Sequence, residues 1–160
     1  MAPSIIGIGT PHRGDDEAGL LAARHLGAPE HSGDGLALLD LWAGAEEVIL
    51  IDAVAGGGAP GDILEFDGRD APLDAAGLRG STHTFGVAEA IEMARALGRL
   101  PARLTIYAIV GSRFDQGAKA SPEVAAAALR LAGELARLTG QSPSPSASAR
   151  APGAQTEPRV

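Results

Sequence analysis

The sequence predicts an α/β protein, with a mostly parallel sheet, helices on both faces and one antiparallel edge strand. Three observations predict it. Short aliphatic runs alternate with segments of helical periodicity between residues 4 and 138. The run 48–54 is aliphatic almost without interruption, as in a strand covered on both faces. The Gly-rich connection 55–61 that follows is too short to hold a crossover helix, so the next strand is expected to be antiparallel to its predecessor and at an edge.

Residues 4–10 read as strand one, with Ile5, Ile6 and Ile8 forming a β-branched run. Residues 15–26 read as the first helix: Leu20, Leu21, Ala23 and Leu26 make an apolar stripe, and Asp15, Asp16 and Glu17 suit its positive end. Gly27, Pro29 and Gly33 stop it. Residues 30–35 read as a loop, with at most a stub of a second strand. Residues 36–43 suit a short helix closed by Gly44. The strand 48–54 carries Asp52 near its end, and 62–66 alternates as a half-solvated strand. The polar stretch 67–80 returns the chain to the other rim. A third helix is expected over 82–97 from the spacing of Val87, Ala90, Ile91, Ala94 and Leu97. The last strand is 104–110. Ser121 and Pro122 open the final helix as N-cap and first-turn residues, with Leu129, Leu131, Leu135 and Leu138 on its buried side. Residues 1–140 thus form one domain, and the Ser/Pro/Ala-rich stretch 141–160 reads as a disordered tail.

Composition excludes several function classes. A net charge of −7 and a pI near 5.0 argue against nucleic-acid or anionic-membrane partners, which need a basic face. The absence of cysteine removes disulfides, a thiolate nucleophile and any sulfur-ligated metal. No apolar run spans a bilayer and no signal-peptide pattern opens the chain, so a cytoplasmic location is expected.

The chemistry concentrates where the acids follow strand one. Gly7-Ile8-Gly9 lacks the third glycine of a dinucleotide fingerprint, since position 12 is His12, and Asp15 and Asp16 would repel a pyrophosphate. Gly9 and Gly14 have phosphate-loop spacing, but Asp15-Asp16 stands where that loop needs Lys-Ser/Thr. One aspartate suffices to cap a helix, so two acids plus Glu17 exceed that need. Asp52 by itself reads as a polar residue at a strand end, and a lone His83 near a helix start, with Ser81 or Thr82 as cap, reads as structural. Taken together the three differ. Strand one and strand 48–54 are expected to be parallel, and the third helix feeds another parallel strand, so Asp16, Asp52 and His83 converge at one rim. Carboxylates plus an imidazole suit nickel, manganese, cobalt or zinc with open positions. His12 and Asp15 are then candidates for orienting the ligands. No His-Glu-x-x-His helix is present.

Several segments together resemble the hydrogenase maturation protease family. They are Gly7-Ile8-Gly9-Thr10 with Gly14-Asp15-Asp16-Glu17-Ala18-Gly19, then Ile51-Asp52-Ala53-Val54 with Ala59-Pro60-Gly61, then Ser81-Thr82-His83. The resemblance spans roughly residues 4–138. It implies a three-layer α/β/α sandwich, with the second strand here shortened or missing. It also implies an endopeptidase that removes the C-terminal peptide of the nickel-loaded [NiFe]-hydrogenase large-subunit precursor. That precursor would be its partner, nickel would arrive with the substrate, and the enzyme is expected to be a monomer. The family's metal-binding and catalytic positions fall on Asp16, Asp52 and His83. Thr10 stands where the family usually has asparagine, and Glu17, where it has glycine, is expected to add charge at the site. Cysteine is absent and no Gly-x-Ser-x-Gly elbow occurs, so water is the expected nucleophile, with Asp52 or Asp15 taking its proton. Two rival readings are a receiver-like Mg²⁺-binding signalling domain, which lacks its lysine because Lys119 is the only one, and a nickel-sensing module without hydrolysis.

Overall fold

A computed structural model describes residues 2–32, 34–70 and 87–140. In chain order the elements are β1 (Ser4–Ile8), a 3₁₀ turn (Gly14–Glu17), α1 (Ala18–Leu26), β2 (Glu30–His31), α2 (Gly35–Trp42), β3 (Glu47–Ala55), β4 (Ile63–Asp67), α3 (Val87–Ala96), β5 (Arg103–Gly111) and α4 (Pro122–Thr139). Among the described residues the sheet has five strands in the order β2-β1-β3-β5-β4. β2, β1, β3 and β5 are parallel, and β4 is the antiparallel edge.

The sheet is sandwiched between two helical layers, and β3 shows why. Alternate residues of a strand face opposite sides. Val48, Leu50 and Val54 pack with Leu38, Leu39, Trp42, Val87 and Ile91 of α2 and α3. Ile49, Ile51 and Ala53 pack with Ala18, Ala22, Val124, Ala127 and Leu131 of α1 and α4. A strand buried on both faces has to be aliphatic throughout, which is what made 48–54 legible. The Nε1 of buried Trp42 has no hydrogen-bond partner among the described residues.

The structure bears out the direction and edge position of β4 and the stub of a second strand, and it corrects the start of the first helix and the buried face of the last. β4 runs antiparallel to β3 and lies at the edge, but its ladder is with β5, which sits between them; Glu65 pairs with Tyr107. A short connection fixed the direction of β4, whereas its neighbour was supplied by a strand forty residues later. The first helix begins at Ala18, because residues 14–17 wind as a 3₁₀ turn. The second strand exists as the two residues Glu30 and His31, paired with Gly7 and Ile8. On α4, Leu131 and Leu135 are buried as expected, but Leu129 is 51% and Leu138 79% exposed. The contact face is instead Val124, Ala127, Ala128, Leu131, Ala132, Leu135 and Ala136. Small side chains let α4 lie close against the alanines of α1, a solution that a search for leucines overlooks. The tail 141–160 and the first part of the expected third helix lie outside the described residues.

Candidate functional site

The carboxyl rim between β1 and β3 is a switch point. The chain leaving β1 goes through α1 to β2 on one side, and the chain leaving β3 goes to β4 and β5 on the other. Diverging connections leave a crevice outside the strand ends, the usual ligand position of open α/β sheets. The 3₁₀ turn contacts β3 at this place. Gly19 permits the approach: a Cβ there would collide with the carbonyl oxygens of Ile8 and Ile51, the adjoining ends of β1 and β3.

Two of the three residues selected from sequence lie at this rim. Asp16, in the 3₁₀ turn, is 1% exposed, and its Oδ2 accepts the Thr10 amide at 3.0 Å. Asp52 is 3% exposed and lies inside β3, paired with Ala108, one residue beyond the last β1–β3 pair, Gly7–Ile51. Its Oδ1 accepts the amide of Ala53 at 2.8 Å. By pleat parity Asp52 shares the α2/α3 face with Leu50 and Val54. His83, the third, lies outside the described residues. It precedes Val87, the first described residue of α3, which is buried in that same α2/α3 cluster.

Asp15 does not take the capping role that an acid at a helix start offers. It caps neither the 3₁₀ turn nor α1. Its side chain reaches the segment between β5 and α4: Oδ2 accepts the amides of Ser112 (2.9 Å) and Arg113 (3.0 Å), and Oδ1 accepts the amide (2.7 Å) and hydroxyl (2.8 Å) of Ser121. Burial alone would raise its pKa, but the amides of Ser121, Ser112 and Arg113 and the Ser121 hydroxyl together hold it below the ordinary 3.8. Such a carboxylate is a poor proton acceptor. Ser121 stands at the N-cap position of α4, yet its hydroxyl serves Asp15 and makes no cap bond.

Glu17 does not stand as a bare charge. It accepts the His12 amide at 2.7 Å and lies 3.8 Å from the Arg24 guanidinium. The bond to Asp16 comes from the backbone of Thr10, so it does not depend on the side chain at that position. His12 itself adopts a left-handed conformation (φ 60°) at the crest of this loop.

Sequence reasoning missed Ser112, Arg113 and the rest of the β5–α4 segment. The available signal was Gly111-Ser112 at the end of a parallel strand, since every such end lies at this rim. Among the described residues no group of three His, Cys, Asp or Glu could hold a metal ion. Among them, too, no helix is long and apolar enough to cross a membrane.

Comparison with known proteins agrees with this architecture. The [NiFe] hydrogenase maturation protease HybD from Thermococcus kodakarensis superposes with a TM-score of 0.72 and 27% identity, covering 87% of this chain and 99% of that one. The hydrogenase maturating endopeptidase HybD from E. coli gives a TM-score of 0.69 at 22% identity, over 88% of this chain and 94% of that one. The [NiFe] hydrogenase maturation protease HycI from T. kodakarensis gives 0.64 at 23% identity, over 86% and 91%. At the lower identities the likeness is one of fold. A receiver-like sheet of parallel strands alone would lack the antiparallel β4 seen here. No curated protein sequence matches the chain. The family model described as HycI, hydrogenase maturation protease, matches residues 33–137, which is about two thirds of the chain and includes Asp52 and His83. With the switch-point site on the same fold, the chain belongs to the hydrogenase maturation protease family.

Proposed function

We propose that the protein is an endopeptidase that removes the C-terminal peptide from the nickel-loaded large-subunit precursor of a [NiFe] hydrogenase. The observation that carries this reading is the burial of two carboxylates, Asp16 and Asp52, at one switch point of the sheet. A buried carboxylate is costly in free energy unless charge or hydrogen bonds offset it, and a cation does so most directly.

Nickel is part of the substrate in this reading. Asp16 and Asp52 supply oxygen donors, and His83 is assigned as the third ligand. Two carboxylates and an imidazole fit nickel and leave coordination positions open. When bound, the ion supplies Lewis-acid polarisation of a carbonyl and a more acidic water. The chain's own residues do the rest. The Thr10 amide holds Asp16, and the Ala53 amide holds Asp52. With no cysteine in the chain, the attacking group is water. Asp15 is committed to four donors, so the proton is assigned to Asp52.

The test is incubation of the purified protein with a large-subunit precursor, nickel-loaded or nickel-free, read by intact mass. Loss of a C-terminal peptide from the loaded precursor alone is expected. Equal cleavage of both would remove the metal-gated mechanism, and cleavage of neither would remove the protease reading.

A further inference from the structure

Asp15 accepts four hydrogen bonds at the rim, and no part of the proposed chemistry uses it. Its four acceptor bonds close both ends of the segment 112–121, at Ser112 and Arg113 on one side and Ser121 on the other. Backbone bonds reinforce the pairing. Asp15 N donates to Arg113 O (2.6 Å), Gly14 N to Ala118 O (2.9 Å) and Gly117 N to His12 O (2.6 Å). Arg13 Nε reaches Phe114 O at 3.4 Å. The fit is close, because a Cβ at Gly111 would stand 2.5 Å from the Cβ of Asp15. Residues 12–15 and 112–121 are therefore one double loop, held by a carboxylate that is 0% exposed.

Asp16 is the next residue. Its main chain is pinned from the Asp15 side by the double loop, and its carboxylate is held on the other by Thr10. We propose that Asp15 is the positioning residue of the site: by clamping the β5–α4 segment it fixes the placement of the Asp16 carboxylate, and that segment is thereby part of the functional unit. This rests on the reading of Asp16 as a ligand to the substrate's metal. The chemistry requires a carboxylate at position 15. An asparagine would turn an NH₂ group towards two of the four donors and lose acceptor capacity where it is used.

Amide hydrogen exchange by NMR tests this without relying on turnover. The reporter is the Thr10 amide, which donates to Asp16, and the reference is the Gly7 amide, which donates to Pro29 O at the same strand edge. In Asp15→Asn the exchange of Thr10 is expected to accelerate about tenfold more than that of Gly7, the scale of one hydrogen bond to a charged group. In Ser121→Ala, which removes one hydroxyl donor and nothing else, a smaller rise in the same direction is expected. With nickel-loaded precursor, kcat should fall in the same order while KM holds. If Thr10 and Gly7 accelerate together in both variants, Asp15 is merely structural and the proposal is overturned. If Thr10 responds as expected but the wild-type protein cleaves no nickel-loaded precursor, the clamp stands and the protease reading falls.

Discussion

The β5 side of the carboxyl rim and the β1–β3 side both bury carboxylates, but they are built to different ends. On the β5 side, Asp15 is matched by three amides and a hydroxyl contributed by residues a hundred positions away. It is a tertiary clamp. On the β1–β3 side, Asp16 and Asp52 accept amides from Thr10 and Ala53, close to them in sequence, at the place where strand connections diverge. Two adjacent acids therefore differ in their partners: Asp15 ties together distant segments, and Asp16 accepts an amide from its own loop.

The largest expected effect breaks that comparison most directly. Asp16→Asn or Asp52→Asn should lower cleavage of nickel-loaded precursor by a factor of about 10³ or more, the scale of a lost acid–base group or metal ligand. Each should lower the melting temperature by less than Asp15→Asn, because an asparagine Oδ1 can still accept the backbone amide of Thr10 or Ala53. Asp15→Asn should instead cost about 3 kcal/mol of stability, because it disrupts a buried charged hydrogen-bond network. Intact mass and thermal melts on the three variants check both halves. Asp16→Asn melting as low as Asp15→Asn would make Asp16 a second clamp and remove it from the site.

A smaller effect concerns the layer beneath the clamp. Leu131→Ala on α4 should cost about 2–5 kcal/mol, whereas Leu129→Ala should stay within about 0.5 kcal/mol, by urea unfolding. Equal costs would mean that α4 packs on a different face. The smallest effect lies on β5 itself. The chain has one tyrosine, Tyr107, so its ultraviolet titration is uncontaminated. Burial first, then the charges of Glu65, Glu134 and Glu47, raise its pKa above the usual 10.0. The phenol's contribution is present in full below 10.0 and is lost as pH rises through the raised folded value. Glu65→Gln should bring the titration back towards 10.0, because Glu65 is the ladder partner of Tyr107.

Much of this was legible in the chain before folding. Val48 to Val54 declared a doubly covered strand because burial on both faces demands an unbroken aliphatic run. Asp52 stood out because it interrupts that run. The stub at Glu30–His31 was legible as a weakness, since two residues carry no periodicity. The leucines of α4 misled because side-chain size was read in place of angular position, and helix–helix contact here favours alanine.

The sequence by itself determined the alternation of strands and helices, the direction of β4, and that acids in excess of capping needs follow strand one. These follow from local periodicity, connection length and the cost of burying charge. Tertiary structure alone decided that β5 inserts beside β4, that Asp15 clamps residues 112–121, and that Ser121 serves a carboxylate in place of its own helix. Each of those depends on groups some forty to a hundred residues apart meeting within hydrogen-bond distance, and no local pattern in the chain encodes such a meeting.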